Sequence, residues 1–468
     1  MWRNYVICVL IGLLLAVSGS SVFLLRQAQV AQSSADQLRQ RAVVAEATRT
    51  SLQQQIDTAS AAPRPTPAAA VPALAAPVPR VGSTDVATLL RQIETDISTL
   101  RGLTARSDVP LRFLDQTALH RYYLDRFNQD YLPSERESDQ KLLAALGLIN
   151  PNDSVVQILL DVLQEQILGA YNQDDKVMYL LADNGQLGPD EKGTFAQEFD
   201  HALQDQYFDL NTLVPKHPAN DDRSLAVQAL TEGDATLTQR LWAQRNLTQQ
   251  ELNQLGQNSG SSKLLSAPLF LREQLLFPYA DGFTFVRQIY QTSGFAGIDA
   301  VYRDPPQSTS QILHIDKYRA HVAPIEVSLP DLSSGSLGDG WRTINSNVFG
   351  ELDLRLMLTQ LTDSTHGVQG ASGWAGDRWE LLENNGRLAL VIKSVWDSDA
   401  SAQGFFDTFG QALSNRFFGA TVEEASASRQ ALTATNAATE VRRAASTVVA
   451  VISFDRPSAE AIANAVDL

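Results

Sequence analysis

The sequence predicts an α+β protein: a mainly helical domain with a small sheet, followed by a smaller α+β module. Three patterns predict this arrangement. Helical spacing of apolar residues dominates residues 84–325, a short β-hairpin is predicted within residues 167–181, and strand-like patterns return in residues 326–468. We therefore place the boundary between the two parts at residue 325.

The helical part begins after a polar cluster at residues 83–85, whose short side chains favour a helix cap before the run that starts at Val86. Within residues 167–181, turn residues at 172–175 separate two apolar runs. This pattern predicts a hairpin, and we expect its second strand to be the edge strand over a cleft.

The C-terminal part shows the signals of a small α+β module. The dipeptide Asn385-Gly386 lies between two apolar runs and predicts the turn of a hairpin over residues 379–396. Ser398 or Asp399 favours the start of a helix directly after that hairpin. A further strand and a further helix are predicted at residues 446–453 and 458–466.

Composition and charge exclude several classes of function. The chain has 468 residues and a formal charge of -16, from 37 basic and 53 acidic residues. That balance opposes nucleic-acid binding, and the sequence contains no basic stripe with interleaved aromatic residues. The one cysteine, Cys8, lies in an N-terminal apolar run, so neither a disulfide within the chain nor a cysteine-based zinc site is expected.

Residues 5–25 form an almost unbroken apolar stretch, which as a helix would span roughly 30 Å, the thickness of a bilayer core. A cleaved signal peptide is the rival interpretation, with small residues at 18–20 as the cleavage site. The length of the run favours an uncleaved signal anchor, a single transmembrane helix with residues 1–4 in the cytoplasm. The large C-terminal part would then be extracytoplasmic and attached to the cell membrane.

Two further segments separate this predicted anchor from the folded part. Residues 26–60 have loosely helical apolar spacing, which predicts a helical stalk with at most weak self-association. Residues 61–83 are rich in proline and alanine. Because proline fixes φ and lacks an N–H, this segment is predicted to be an extended, semi-rigid linker.

The most informative motif is Gln-Glu-Phe-Asp-His at residues 197–201. On a helix, positions 197 and 201 lie one turn apart on the same face. Zinc proteases place two histidine ligands at these positions, with a glutamate between them that activates the metal-bound water. Glu198 and His201 fit this HExxH pattern, whereas Gln197 occupies the position of the first zinc ligand. The motif is therefore degenerate.

A second helical pattern follows at residues 229–237 and contains Glu232. Its distance along the chain from His201 is compatible with a third metal ligand supplied by the next helix. Asp205 comes one turn after His201, and Asp234 lies beside Glu232. Both aspartates are candidates to orient the ligands by hydrogen bonding from behind.

Several segments together resemble a family of bacterial zincin-like metallopeptidases of the Glu-zincin type, over most of the chain from about residue 90 onward. Residues 197–210 are similar to the zinc helix of that family, and Glu-Gly-Asp-Ala at residues 232–235 is similar to its second motif. Later similarities lie at residues 305–318, at Gly-Trp-Ala-Gly-Asp in 373–377, and at Trp-Asp in 396–397. The chain departs from the family pattern at Gln197 in place of histidine, Ser310 in place of glutamate and Ile315 in place of proline.

The resemblance implies a metallopeptidase site with named roles. In an active version, His201 and Glu232 would bind zinc together with a ligand at position 197, and Glu198 would be the general base. His314, in the segment that resembles the third family motif, would stabilise the oxyanion of a tetrahedral intermediate. Asp205 and Asp234 would orient the ligands.

Gln197 decides between the functional hypotheses. An amide oxygen is a poor zinc ligand compared with imidazole, so zinc is expected to be weakly bound or lost. The first hypothesis is a pseudoenzyme, a pseudopeptidase that binds a polypeptide or a protein partner without cleaving it. The alternatives are an active zinc-dependent metallopeptidase with Glu198 as base, and a structural scaffold whose cleft is unused. No spacing selects a replacement ligand among the histidines at positions 120, 217, 321 and 366.

Overall fold

A computed structural model of the protein describes residues 86–165, 168–181, 187–216, 218–255, 262–333 and 339–468. Runs of helices and runs of strands follow one another along these ranges, so the fold is α+β, as predicted. The helices are α1 (Val86–Arg101), α2 (Gln116–Asp130), α3 (Pro133–Leu146), α4 (Val155–Glu165), α5 (Pro189–Phe208), α6 (Leu210–Leu213), α7 (Asp221–Asn246), α8 (Gln249–Gln254), α9 (Ser262–Ser266), α10 (Leu269–Arg303), α11 (Thr309–Leu313), α12 (Ile315–Arg319), α13 (Gly350–Leu361), α14 (Ser364–Ala371), α15 (Asp399–Arg416) and α16 (Arg456–Ala465). The strands are β1 (Leu111–Leu114), β2 (Gly169–Asn172), β3 (Val177–Leu181), β4 (Arg342–Asn347), β5 (Trp374–Asn384), β6 (Arg387–Trp396), β7 (Thr421–Ala425), β8 (Arg429–Ala434), β9 (Ala437–Ala444) and β10 (Thr447–Ser453).

The smaller sheet has the strand order β1-β3-β2. The predicted hairpin is confirmed as β2 and β3, which pair in an antiparallel manner. The prediction that its second strand lies at the edge was wrong, because β1 pairs with β3 in parallel and makes β3 the central strand. A parallel partner from a distant segment leaves no local signal in the sequence. The second strand of the hairpin is therefore central, and the edge strand of the hairpin is β2.

The larger sheet is antiparallel and has the order β4-β5-β6-β10-β9-β8-β7. The predicted hairpin over residues 379–396 is confirmed as β5 and β6, and the predicted strand at 446–453 is confirmed as β10. The other strands of this sheet were not assigned from the sequence. β7, β8 and β9 carry alanine, glutamate and arginine at many positions, and β4 carries two asparagines; these residues favour strands only weakly.

Both faces of the larger sheet are covered. Along β10, Val448 and Ala450 belong to the main hydrophobic core, whereas Val449 and Val451 pack in a second cluster that includes residues of α16. Alternate residues of a strand point to opposite faces, which explains this division. The main core also contains Phe285 of α10, so it joins elements from both sides of the boundary placed at residue 325.

The turn between β5 and β6 gives a first testable prediction. Asn385 has φ 50° and Gly386 has φ 80°, the left-handed conformation that two-residue hairpin turns require. A Cβ atom at Gly386 would meet no atom within 4 Å, so Gly386→Ala adds backbone strain without a clash. We expect it to lower the free energy of unfolding by about 1–2 kcal/mol in urea titrations. Gly404→Ala, within helix α15, is the control, and equal effects of the two substitutions would contradict the prediction.

The predicted anchor at residues 5–25, stalk at 26–60 and linker at 61–83 lie outside the described residues. Within the ranges that the structure does describe, no helix has both the length and the apolar character needed to cross a bilayer. This finding contradicts the predicted single-pass membrane protein. We therefore correct the prediction and assign neither a transmembrane signal anchor, nor the membrane as a partner, nor an extracytoplasmic location to the chain.

Candidate functional site

Helix α5 carries the degenerate motif and is buried over residues 193–205 without interruption. Its N terminus has proline at the first helical position and two acidic residues in the first turn, which favour helix initiation. A helix buried on all sides lies at the centre of a fold, so its polar side chains must find partners on other elements. The neighbouring helix α7 is buried along most of its length too, and the Asn220 side chain caps it by accepting from the Arg223 N–H.

The structure brings three of the predicted ligand positions together. His201 Nε2 lies 3.2 Å from Glu232 Oε2, and Gln197 Nε2 lies 3.5 Å from the same oxygen. Helix α5 supplies the glutamine and the histidine from one face, and α7 supplies the glutamate, as the spacing predicts. We call Gln197, His201 and Glu232 the Gln–His–Glu cluster.

Both ring nitrogens of His201 face oxygen acceptors. Nε2 faces Glu232, and Nδ1 lies 3.0 Å from Gln204 Oε1, whose amide nitrogen donates to Asp200 Oδ2 at 2.9 Å. Two acceptors require two N–H donors, which only the protonated imidazolium has. Burial by itself lowers the pKa of His201, but the carboxylates of Glu232, Glu198 and Asp200 outweigh it and raise that pKa to about 10. At neutral pH the cluster therefore contains a His201–Glu232 ion pair.

Glu198 lies beside this cluster and contacts the edge strand. Its Oε2 accepts a hydrogen bond of 2.6 Å from the backbone N–H of Tyr171 in β2, and the side chain is buried. Burial raises the pKa of Glu198 to about 7, although the positive charge of His201 and the Tyr171 N–H oppose the rise. A carboxyl group with this pKa exchanges protons near neutrality, which is what a general base needs.

The donor set does not fit a catalytic zinc site. Zinc requires deprotonated ligands, whereas His201 is held as an imidazolium, and the Gln197 amide is neutral. In the described ranges no group of three histidine, cysteine, aspartate or glutamate side chains has the arrangement of a metal site. His321 lies 3.2 Å from Asp304 and His366 2.6 Å from Asp363, so neither supplies the missing ligand, and His217 lies outside the described residues.

Asp205 was predicted to orient a ligand, but the structure places it against the hairpin. Its Oδ2 accepts from the Tyr171 hydroxyl at 2.7 Å and from Lys176 Nζ at 2.6 Å, and its Oδ1 accepts from the Leu210 N–H at 3.2 Å. Asp205 thus fastens β2 to the C-terminal end of α5. Because the same strand donates to Glu198, Asp205 fixes the position of that carboxyl group indirectly.

Asp234 does lie behind the cluster, in a buried network that the sequence did not reveal. Its Oδ2 accepts from Arg101 at 3.0 Å and from the Tyr302 hydroxyl at 3.1 Å, and Gln204 Nε2 lies 3.4 Å away. Arg101 also donates to Asp200 at 3.1 Å. Gln204 therefore connects this network to His201. Burial raises the pKa of Asp234 to about 7, despite the charge of Arg101.

His314 belongs to a different group of side chains. Its Nε2 lies 2.6 Å from Glu351 Oε1, and the other oxygen of Glu351 accepts from Ser310 Oγ at 2.5 Å. Lys317 Nζ donates to Ser310 Oγ at 2.8 Å. These contacts tie α11 and α12 to α13, and none of them involves Glu198. The structure thus gives His314 a partner in Glu351 and places it in a cluster separate from the predicted catalytic residues.

An open groove of about 660 Å³ lies elsewhere on the protein. Its lining includes the segment at residues 324–329, Arg223 and the start of β5. Within this segment Ile325 donates its N–H to the Ala375 carbonyl at 2.7 Å. None of the predicted site residues lines this groove. The sequence offered no signal for it, because its walls come from five separate parts of the chain.

Comparisons with known proteins give little functional information. A family model described as a domain of unknown function, DUF8575, matches residues 340–463, which hold the larger sheet and its helices but not the Gln–His–Glu cluster. No curated protein matches the chain. A crystal structure from Chloroflexus aurantiacus, provisionally assigned as a hydrolase with a novel fold, is similar at a TM-score of 0.36 and 16% identity. The similarity covers 51% of this chain and 88% of that one, and at this TM-score it supports no inference about fold or function.

Proposed function

We propose that the protein is a zincin-like pseudopeptidase, which binds a polypeptide or a protein partner and does not cleave it. The observation that carries this proposal is the His201–Glu232 ion pair, with Gln197 directed at the same glutamate oxygen. The sequence resemblance to Glu-zincin peptidases supports the zincin part of the proposal. The substituted first ligand supports the loss of cleavage.

A proton competes with zinc for His201. With a pKa of about 10, the imidazolium must lose its proton before it can bind a metal. Three pH units between that pKa and neutrality correspond to a penalty of about 4 kcal/mol at pH 7. The amide of Gln197 offers no negative charge to offset it. Weak or absent zinc binding is therefore the expected state of the natural chain.

One observation favours the alternative, an active zinc-dependent metallopeptidase. Two ligands that lie about 2.1 Å from a tetrahedral zinc are separated from each other by roughly 3.4 Å. The 3.2 Å between His201 and Glu232 is close to that separation. Glu198, with a pKa of about 7, would then be the general base. The distance thus suits either an ion pair or a metal, and the third ligand decides between them.

Zinc content before and after ligand restoration tests the proposal. The full chain and its Gln197→His variant are equilibrated with zinc, desalted and analysed for metal by mass spectrometry. We expect well below one zinc per natural chain and close to one per variant, because a second histidine raises zinc affinity by at least about 10–100-fold. Gln206→His, on the same helix outside the cluster, is the control and should bind no more than the natural chain.

The outcomes separate the two functions. One zinc per natural chain would overturn the pseudopeptidase and favour the metallopeptidase. No zinc in either chain would overturn the assignment of residues 197–201 as a former zinc motif.

Labelled casein added to the same samples reports binding by fluorescence anisotropy and cleavage by the loss of that anisotropy. We expect binding without cleavage.

A further inference from the structure

Two arginines from neighbouring helices meet on one aromatic ring. The guanidinium carbon of Arg240, in α7, lies 4.0 Å from the ring centre of Phe283, and that of Arg287, in α10, lies 5.5 Å from the same centre. Close contact between the helices holds them there, since a Cβ atom at Gly233 would come within 2.4 Å of the Gly282 backbone. The ring and the helix contact together fix the positions of both charges.

No carboxylate of the described residues lies within ion-pair distance of Arg240 or Arg287, in contrast to Arg101, which has three acidic partners. The Nε atom of Arg287 is buried and has no hydrogen-bond partner among the described residues. Burial, together with the nearby charge of Arg287, lowers the pKa of Arg240 to about 10. Two like charges are thus held together, partly out of water, without a counter-ion from the described protein.

The two guanidiniums lie near each other on the same aromatic ring. Both distances run to one ring centre, so the two guanidinium carbons lie no farther apart than their sum, about 9.5 Å. One phosphate has enough acceptor oxygens to take charge-assisted hydrogen bonds from two guanidiniums that lie within this limit. A dianion also matches the total charge of two arginines, and the planar fork of arginine suits the oxygens of a phosphate.

We propose that Arg240, Arg287 and Phe283 form a binding site for a phosphate group. The net charge of -16 repels anions from the protein as a whole, so binding would depend on this local pair of charges and not on a general basic surface. The site is separate from the Gln–His–Glu cluster and does not depend on whether that cluster binds zinc. The group bound is inorganic phosphate or the phosphate of a monoester.

Calorimetric titration of the full chain with inorganic phosphate, at constant ionic strength in a chloride buffer, tests this site. We expect saturable binding of one phosphate, and an increase in Kd of at least about tenfold for Arg240→Gln and for Arg287→Gln. Arg240→Lys keeps the charge without the fork and should give an intermediate Kd, which covers the case in which a glutamine variant fails to fold. Arg245→Gln, an exposed arginine on the same helix, should bind as the natural chain does.

Methyl phosphate identifies the source of the group. Tighter binding of methyl phosphate than of inorganic phosphate indicates that a monoester is the natural ligand, and weaker binding indicates free phosphate. Either result upholds the site. An absence of saturable phosphate binding to the natural chain would overturn the proposal. Unchanged phosphate affinity in the folded Arg240→Gln and Arg287→Gln variants would overturn it as well.

Discussion

Arg101→Met is expected to lower the free energy of unfolding by about 3–5 kcal/mol, the cost of removing one partner from a buried ionic network. Arg101 lies at the end of α1 and contacts Asp200 at 3.1 Å, Asp234 at 3.0 Å and Asp299 at 3.2 Å. The side chains of Arg101, Asp200 and Asp234 have no exposed surface. Methionine fills a similar volume but leaves these carboxylates without the guanidinium.

The direction of the effect follows from the electrostatics. Burial alone would lower the pKa of Arg101, but the surrounding carboxylates raise it above its ordinary range, so the native state strongly favours the charged guanidinium. Without that charge, Asp200 and Asp234 must either bind protons or remain ionised in a dry environment. Both responses cost free energy at pH 7.

Urea titrations followed by tryptophan fluorescence measure this loss, with Arg91→Met as the control, because Arg91 is an exposed arginine on the same helix. In the Arg101→Met background, Asp234→Asn should recover part of the stability, since it removes one of the unpaired charges. A loss below 1 kcal/mol for Arg101→Met would contradict the prediction. Simple addition of the two single losses in the double variant would show that the network is not the cause.

The network around Arg101 could not be predicted from the sequence. Local signals worked well: the hairpin of β2 and β3, the turn at Asn385-Gly386 and the cap at Ser398 all lie where predicted, because each depends on a few adjacent residues. The network instead joins α1 to residues 99 to 198 positions away. A lone arginine at the end of a helix carries no sign of such distant partners.

The candidate site shows the same division between local and distant information. The i, i+4 spacing placed Gln197 and His201 on one face, and the structure brings Glu232 to them from α7. His314 was assigned by resemblance to a segment far along the chain, and the structure gives it Glu351 as a partner instead. Arg240 lies on the same helix as Glu232, but only the packing of α10 reveals its nearness to Arg287.

Glu198→Gln is expected to stabilise the protein at alkaline pH by about 3 kcal/mol and to have little effect at pH 4. The folded-state pKa of about 7 lies above the ordinary value of 4.5, because Glu198 is buried. Between these two values the native state binds more protons than the unfolded state, so stability falls as the pH rises. The shift of roughly 2.5 pH units corresponds to about 3 kcal/mol once the group is fully ionised.

Glutamine keeps the carbonyl oxygen that accepts from Tyr171 and removes the titration, so the variant isolates the charge. Other buried acids with raised pKa values, such as Asp234, impose the same trend on both proteins and cancel in the comparison. His201 acts over a different range: its raised pKa of about 10 contributes stability below pH 6.5, which is lost as the pH rises through 10.

The measurement is the difference in unfolding free energy between the variant and the natural chain at pH 4, 6 and 8, with Glu191→Gln in the first turn of the same helix as the control. We expect the difference for Glu198→Gln to grow with pH by more than that for Glu191→Gln. A pH-independent difference would show that Glu198 is not desolvated in the folded protein. Selection for stability alone would replace a buried carboxyl group that destabilises the protein at neutral pH. Such a group is typical of a functional site, so Glu198 beside Gln197 agrees with the proposed pseudopeptidase.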